Sequence, residues 1–173
     1  MHHFEHVDPI NIPRVVIFDY DGTLSDGTHR LPFLPTKDLH LTESWVEFNR
    51  MCVGDSPIRD TIDVMNAMYD AGFYVIVLTG RSDIVKAESI KWLKDNGARY
   101  HLLEMRKQSD NRKDTAIKEE FLRNIGLKNI VAAWDDSPSV IQHFRSLGIT
   151  TYQVVEYADT NRTDLKSHGV EKL

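Results

Sequence analysis

One cysteine, Cys52, stands in a chain of 173 residues. An internal disulfide is therefore excluded, and a reducing cytoplasmic setting fits the chain better than secretion. No apolar run approaches the roughly 20 residues that a membrane-spanning helix needs. The opening MHHFEHVDPINIPR lacks the apolar centre of a secretory signal, so no membrane association is expected. Its histidines read as a ragged solvated terminus rather than a metal site. Strong charge bias is also missing. The formal net charge is -5, which argues against a generic polyanion binder, although an acidic protein can still hold a basic pocket. Repeats, low-complexity segments and linkers are absent. What remains is 41% hydrophobic and 27% charged, an ordinary composition for a soluble globular chain. We expect a single domain over 1–173, long enough to bury a sizeable core.

Strand patterns occur at 15–19, 73–79, 130–134 and 151–155, with a weaker one at 100–103. Helical patterns lie between them at 43–51, 58–71, 84–96, 115–125 and 137–147. In the last, Val140, Ile141, Phe144 and Leu147 recur at helical spacing. Gly72, Gly97, Gly126 and Gly148 each follow such a pattern, as stop signals do. Strands alternating with helices predict an α/β fold with a central parallel sheet and helices on both faces. In such sheets the site lies beyond the carboxyl ends of the strands. The stretch LSDGTHRLPFLPTKD, with two prolines, reads as a flap over that edge, inside a small cap insert at about 25–57.

Polar residues of a particular kind close three of the strands. VVIFDYDGTL ends in Asp19 and Asp21, VIVLTGR in Thr79, Gly80 and Arg81, and VAAWDDS in Asp135 and Asp136. In a parallel sheet these meet at one edge, and four carboxylates gathered there call for a cation. Hard oxygen ligands suit Mg²⁺, and Mg²⁺ with a free carboxylate suits phosphoryl transfer. In this reading Asp19 attacks phosphorus. Asp21 is the general acid and then the general base. Thr79 donates a hydrogen bond to a phosphoryl oxygen, and a lysine, Lys113 or Lys118, offsets transition-state charge. Each motif has a plainer reading. Asp-x-Asp-Gly is common turn chemistry, Asp-Asp-Ser-Pro can cap a helix, and a helix lysine beside two glutamates is usually solvated. The conjunction of all of them at strand ends favours the catalytic reading.

These motifs resemble those of the haloacid-dehalogenase-like phosphohydrolases. FDYDGTL is similar to the first motif, LTGR to the second and WDDS to the fourth, over nearly the whole chain. The resemblance implies a Rossmann-like core and an Mg²⁺-dependent phosphoaspartate mechanism. A closer resemblance lies in RKQSDNRKDTAIKEEFL and AAWDDSPSVIQHFRSLGITTYQV, which are similar to the 3′-phosphatase half of phage polynucleotide kinase–phosphatase. That likeness implies Lys118 as the third-motif lysine, four residues after Asp114. It implies Arg30, Gly80, Arg81, Arg106 and Asp114 as substrate-binding residues. It also implies Asp19, Asp21 (through its carbonyl), Asp135 and Asp136 around the metal, with one of the last two binding directly. No G-x-x-x-x-G-K-[ST] loop occurs in the sequence, so a kinase half is not expected here, which leaves room for a separate kinase or ligase partner in nucleic-acid repair.

The expected substrate is a 3′-phosphate on a DNA or RNA end. The alternatives are a 5′-nucleotidase acting on monomers and a non-catalytic phosphate-binding domain. Phe33, Trp45 and Phe48 could stack on a base, although their spacing equally fits core packing. Trp92 and Trp134 read as packing residues, His29 and His40 as solvated, and Cys52 as structural. Lys86, Lys91 and Lys94 read as a solvated helix face.

Overall fold

The computed structural model describes residues 14–155, and the amino-terminal histidines lie outside this range. Seven strands occur among the described residues: β1 (Val15–Phe18), β2 (Ser25–Asp26), β3 (Ser56–Pro57), β4 (Tyr74–Ser82), β5 (Leu102–Arg106), β6 (Ile130–Asp135) and β7 (Thr151–Gln153). Five form a parallel sheet in the order β5-β4-β1-β6-β7. Parallel neighbours need crossovers. Those between sheet strands are made by α2 (after α1, Val46–Arg50), α3, α4 and α5, which span Arg59–Asp70, Lys86–Asp95, Asp114–Ile125 and Pro138–Ser146.

Side-chain alternation along the strands builds two cores, one on each face. On one side Val16, Phe18, Val75 and Val77 pack with Ile62 and Met65 of α2 and with Trp92 and Leu93 of α3. On the other, Val15, Ile17, Ile76 and Leu78 pack with Leu122 and Ile125 of α4 and with Val140 and Phe144 of α5. Trp134 stacks on Phe18 at 4.5 Å, as a packing residue should. With both faces covered, strands read as nearly continuous apolar runs, which is why VVIF and VIVL were recognisable.

The sheet order places β1 between β4 and β6, so the carboxyl ends of these three strands are neighbours. The Asp19 amide donates to the Trp134 carbonyl at 2.9 Å, pinning the start of the first loop against β6. The chain then turns at Gly22, whose φ of 75° lies in the left-handed region that glycine enters at little cost. Strand β4 runs farther than its sequence pattern suggests. Its register with β5 jumps between Thr79 and Ser82, so Gly80 and Arg81 form a bulge, a device that re-aims side chains.

The insert after β1 is closed at its base by the antiparallel pairing of β2 with β3. The stretch expected to be irregular contains a 3₁₀ helix at Thr28–Phe33. The helix expected at 43–51 is broken into a 3₁₀ turn at Thr42–Trp45, α1, and a second 3₁₀ turn at Met51–Gly54. Tertiary bonding replaces helical bonding at its start, because the Thr42 amide donates to Asn111 Oδ1 at 2.8 Å. The same threonine's hydroxyl donates to the Gln108 carbonyl. The insert is thereby latched to the loop between β5 and α4.

Phe144 is fully enclosed between α5 and the sheet. Phe144→Ala should cost about 3–5 kcal/mol of stability, read as a lower urea midpoint with an unchanged slope.

Candidate active site

Asp19, Asp135 and Asp136 are all buried, and one carboxylate oxygen from each lies within 4.8 Å of the others. Lys118 projects into this group from α4. Its Nζ is 2.8 Å from Asp19 Oδ1, 3.0 Å from Asp135 Oδ2 and 3.3 Å from Asp114 Oδ2. Lys118 is only 2% exposed, whereas Lys113 is exposed at the start of α4. The alternative left open by residue type is thus resolved in position: Lys118 is the lysine at the strand edge.

The ion pairs explain the protonation states. Burial works to lower the Lys118 pKa, but Asp114, Asp135 and Asp19 outweigh it and hold the ammonium well above its usual range. Burial raises Asp19, Lys118 opposes the rise, and repulsion from Asp135 and Asp136 adds to it. Asp135 is also raised by burial, against Lys118 and the Ser137 amide. That amide donates to Asp135 Oδ1 at 2.8 Å. Ser137 and Pro138 also begin α5 as an N-cap and first-turn pair, so the capping and acidic readings of DDSP hold together.

Thr79 is buried, and its Oγ1 accepts from the Arg81 amide at 3.0 Å. Accepting there leaves the hydroxyl's own proton for donation beyond the strand.

The three arginines are not placed as open phosphate ligands. Arg30, Arg81 and Arg106 are at most 2% exposed, and every guanidinium nitrogen has a protein partner. Arg106 donates to the carbonyls of Gly80, Asp110 and Arg112 and to Asp114, so it shapes the loop before α4. Arg30 and Arg81 converge on Asp21. Arg30 Nη2 and Arg81 Nη2 lie 2.5 and 2.6 Å from Asp21 Oδ1, and Arg81 Nε lies 3.1 Å from Oδ2. Burial works to raise Asp21, but Arg81 and Arg30 overcome it and hold the carboxyl well below its ordinary range.

A residue that no motif marked completes this arrangement. Asp55 lies just before β3 and is buried. It accepts from Arg30 Nε and Nη2, each at 2.8 Å, and from Arg81 Nη2 at 2.9 Å. Ser25 Oγ and His29 Nε2 each add a contact at 3.0 Å. His29, read as solvated, is therefore tied to this cluster, although its side chain is 37% exposed. In GDSPIR the aspartate looks like an ordinary turn residue before a helix. Only the pairing of β2 with β3 brings it to the arginines.

The aromatic residues of the insert pack internally. Trp45 is buried, donates to the Leu39 carbonyl and meets Phe48 edge-on, and the Arg30 guanidinium lies over the Phe48 ring. Cys52 is buried. Lys86, Lys91 and Lys94 are exposed, as a solvated helix face requires. No helix among the described residues is long and apolar enough to cross a membrane.

Gly80 is required by close approach. A Cβ there would stand 2.4 Å from Asp114 Oδ1. Asp114 is held by Arg106 and Lys118, so it cannot retreat freely. Gly80→Ala should destabilise the protein by about 1–3 kcal/mol through overpacking. It should also shift Asp114 away from Lys118, visible as changed Lys118 side-chain resonances in NMR spectra.

Three comparisons place this geometry among known proteins. The family model for the polynucleotide kinase PNKP phosphatase domain matches residues 13–159. A protein of Autographa californica nuclear polyhedrosis virus, described as a bifunctional polynucleotide kinase/RNA ligase, is 27% identical over 157 residues. That match covers 87% of this chain and 21% of the viral protein. Chains from two structures of the Pnkp1/Rnl/Hen1 complex, described in one as an RNA repair complex, align with TM-scores of 0.67 and 0.65 at 25% and 27% identity. These alignments cover 86% and 82% of this chain and 44% and 46% of the others. The chain thus spans less than half the length of these relatives. A haloacid-dehalogenase-like hydrolase of Streptococcus pneumoniae shares the fold at TM-score 0.59 and 12% identity, over 90% of each chain. With the five-stranded parallel sheet and the acidic edge in hand, the chain belongs to the PNKP phosphatase-domain family of haloacid-dehalogenase-like hydrolases.

Proposed function

We propose that this chain is an Mg²⁺-dependent phosphomonoesterase that removes 3′-phosphates from polynucleotide ends through an aspartyl-phosphate on Asp19. The observation that carries the reading is the buried group of Asp19, Asp135, Asp136 and Lys118 at the carboxyl edge of the sheet. Several carboxylates crowd around a single ammonium there, and an all-oxygen donor set with excess negative charge fits Mg²⁺. Asp19, Asp135, Asp136 and the Asp21 carbonyl would hold the ion. When bound it would neutralise phosphate charge and orient the ester.

In the first step an Asp19 carboxylate oxygen attacks phosphorus, and the bond from phosphorus to the 3′-oxygen breaks. The leaving oxygen takes a proton from Asp21. In the second step Asp21, now a carboxylate, accepts a proton from water as the water oxygen attacks phosphorus. The acyl phosphate bond breaks, freeing phosphate and restoring Asp19. Lys118 and Thr79 would steady the phosphoryl oxygens in both steps. The two arginines on Asp21 favour the carboxylate that the second step uses, so the first step requires Asp21 to take up a proton against that bias. Arg30, Arg81, Arg106 and Asp114 would act on substrate through the residues and loops they hold, rather than by binding phosphates along a groove.

That last point favours one alternative. The internal pairing of all three arginines leaves none of them open to contact the neighbouring phosphates of a polymer, and a 5′-nucleotidase acting on monomers needs no such contact. The names of the relatives support the polynucleotide reading, and they suggest that kinase and ligase activities work alongside this chain in repair.

Phosphate release separates these readings. With Mg²⁺, an oligonucleotide 3′-phosphate should be hydrolysed in preference to the same oligonucleotide carrying a 5′-phosphate and to a nucleoside monophosphate. EDTA should abolish release. Asp19→Asn should lower turnover by a factor on the order of 10³ or more while ligand binding persists. Preference for the monomer would transfer the assignment to a nucleotidase. Unchanged behaviour of Asp19→Asn would indicate a phosphate-binding domain without catalysis.

A further inference from the structure

Phe18 on β1, Trp134 on β6 and Tyr152 on β7 lie opposite one another in the sheet register. Their rings form a stack across three strands. The centroids of Phe18 and Trp134 are 4.5 Å apart with the planes 2° from parallel, and those of Trp134 and Tyr152 are 5.2 Å apart at 24°. Exposure rises along the stack. Phe18 is fully buried, Trp134 is half-buried, and Tyr152 is 52% exposed. Asp19 follows Phe18 and Asp135 follows Trp134, so the stack starts beside the acidic edge and leads away from it.

Packing accounts for the first two rings. Phe18 belongs to the core beneath α2 and α3, and Trp134 packs against that core. Packing does not account for the third. Among the described residues β7 supplies nothing to that core, and α5 covers the opposite face through Val140 and Phe144. One side of the Tyr152 ring lies on Trp134, and much of the remainder meets solvent. The insert contributes Leu24 and Cys52 to the core that holds Phe18, so Tyr152 and the insert stand on the same face of the sheet.

The chemistry of this place suits a nucleobase. A base is flat, and every base has a π-face that stacks on an aromatic ring, so the contact is tolerant of sequence. An enzyme acting on strand ends needs that tolerance. Stacking also supplies affinity without cations. Arg30, Arg81 and Arg106 are committed to protein partners, and the neighbouring edge is acidic. Trp134 already restrains the Tyr152 ring, which lowers the ordering cost when a second flat group settles on it. Reach is adequate as well. Adjacent strands are about 4.8 Å apart, which puts Tyr152 about 10 Å from β1. A strand rising about 3.4 Å per nucleotide covers that distance within its last three nucleotides.

We propose that Tyr152 is a stacking subsite for a nucleobase near the 3′-end of the polynucleotide whose terminal phosphate is removed. The proposal rests on the phosphatase reading and adds the path of the strand, which leaves the acidic edge across β6 and β7.

The experiment compares full-length wild type, Tyr152→Phe and Tyr152→Leu. Leucine keeps apolar cover on Trp134 but removes the π-face. Binding of a fluorescently labelled oligonucleotide 3′-phosphate is read by anisotropy in EDTA, where no phosphate is released. Tyr152→Leu should weaken binding by about 5–50-fold, the scale of one base–aromatic stack, and Tyr152→Phe should stay within about twofold of wild type. With Mg²⁺, Tyr152→Leu should raise KM on the oligonucleotide by the same factor while kcat holds. Its KM for glycerol 2-phosphate, an ester without a base, should be unchanged. An abasic sugar at one of the last three positions should weaken binding to wild type equally and leave Tyr152→Leu unaffected, as coupled partners require. Unchanged affinity of Tyr152→Leu, with or without a lowered unfolding midpoint, would overturn the proposal and leave the ring a packing residue. A loss that couples to none of the three abasic positions would also overturn it, as would a wild type that binds no oligonucleotide. Wild-type turnover tests the phosphatase reading, and binding in EDTA tests Tyr152, so each can fail without the other.

Discussion

The ammonium of Lys118 is enclosed by carboxylates from three different elements: Asp19 after β1, Asp135 at the end of β6, and Asp114 one turn earlier on its own helix. A buried cation is tolerated only when paired, and buried carboxylates repel unless a cation lies between them. The surrounding structure serves this mutual requirement. The order of the sheet brings β1 and β6 side by side, and α4 returns from β5 across the opposite face to deliver Lys118. The Gly80 bulge makes room for Asp114.

A second charged group stands beside the first, and the two differ in kind. Around Lys118 acids outnumber the base, an excess of negative charge that the proposed Mg²⁺ would offset. Around Asp21 and Asp55, two arginines meet two acids and the hydrogen bonds close on themselves. The first arrangement can accept a metal ion and a phosphate. The second holds Asp21, to which the proposed mechanism gives the proton transfers. Asp19 and Asp21, two residues apart in sequence, therefore belong to different electrostatic neighbourhoods. This is a familiar way to set similar groups to different tasks. One carboxyl lies in the excess-acid cluster with its pKa raised, and the other is kept ionised by guanidiniums.

The small insert links both groups to the rest of the fold. Its base is the β2–β3 ribbon, which carries Ser25 and lies next to Asp55. Its far side is latched by Thr42 to the loop that leads into α4. The latch thus shares the loop that Arg106 holds through the Asp110 and Arg112 carbonyls.

Much of this was legible before any coordinates. Apolar runs such as VVIF and VIVL announce buried parallel strands because both faces of the sheet are covered. Acids directly after such runs must then lie at its edge, so Asp19, Thr79, Asp135, Asp136 and Lys118 could be placed there from local pattern and family likeness. The orientation of Arg30, Arg81 and Arg106 was not legible, nor was Asp55. A guanidinium can satisfy a phosphate or a neighbouring carboxylate equally well, and no local pattern chooses between them. For Arg30 and Arg81 the choice was made by contacts between residues 25 or more positions apart, formed only when β2 pairs with β3 and folds Asp55 in behind them, and for Arg106 by the loop before α4 that wraps it. Periodicity and composition determined the layers and the acidic edge. Long-range ion pairing, which depends on three-dimensional proximity, decided which charged side chains face the cleft and which hold the others in position.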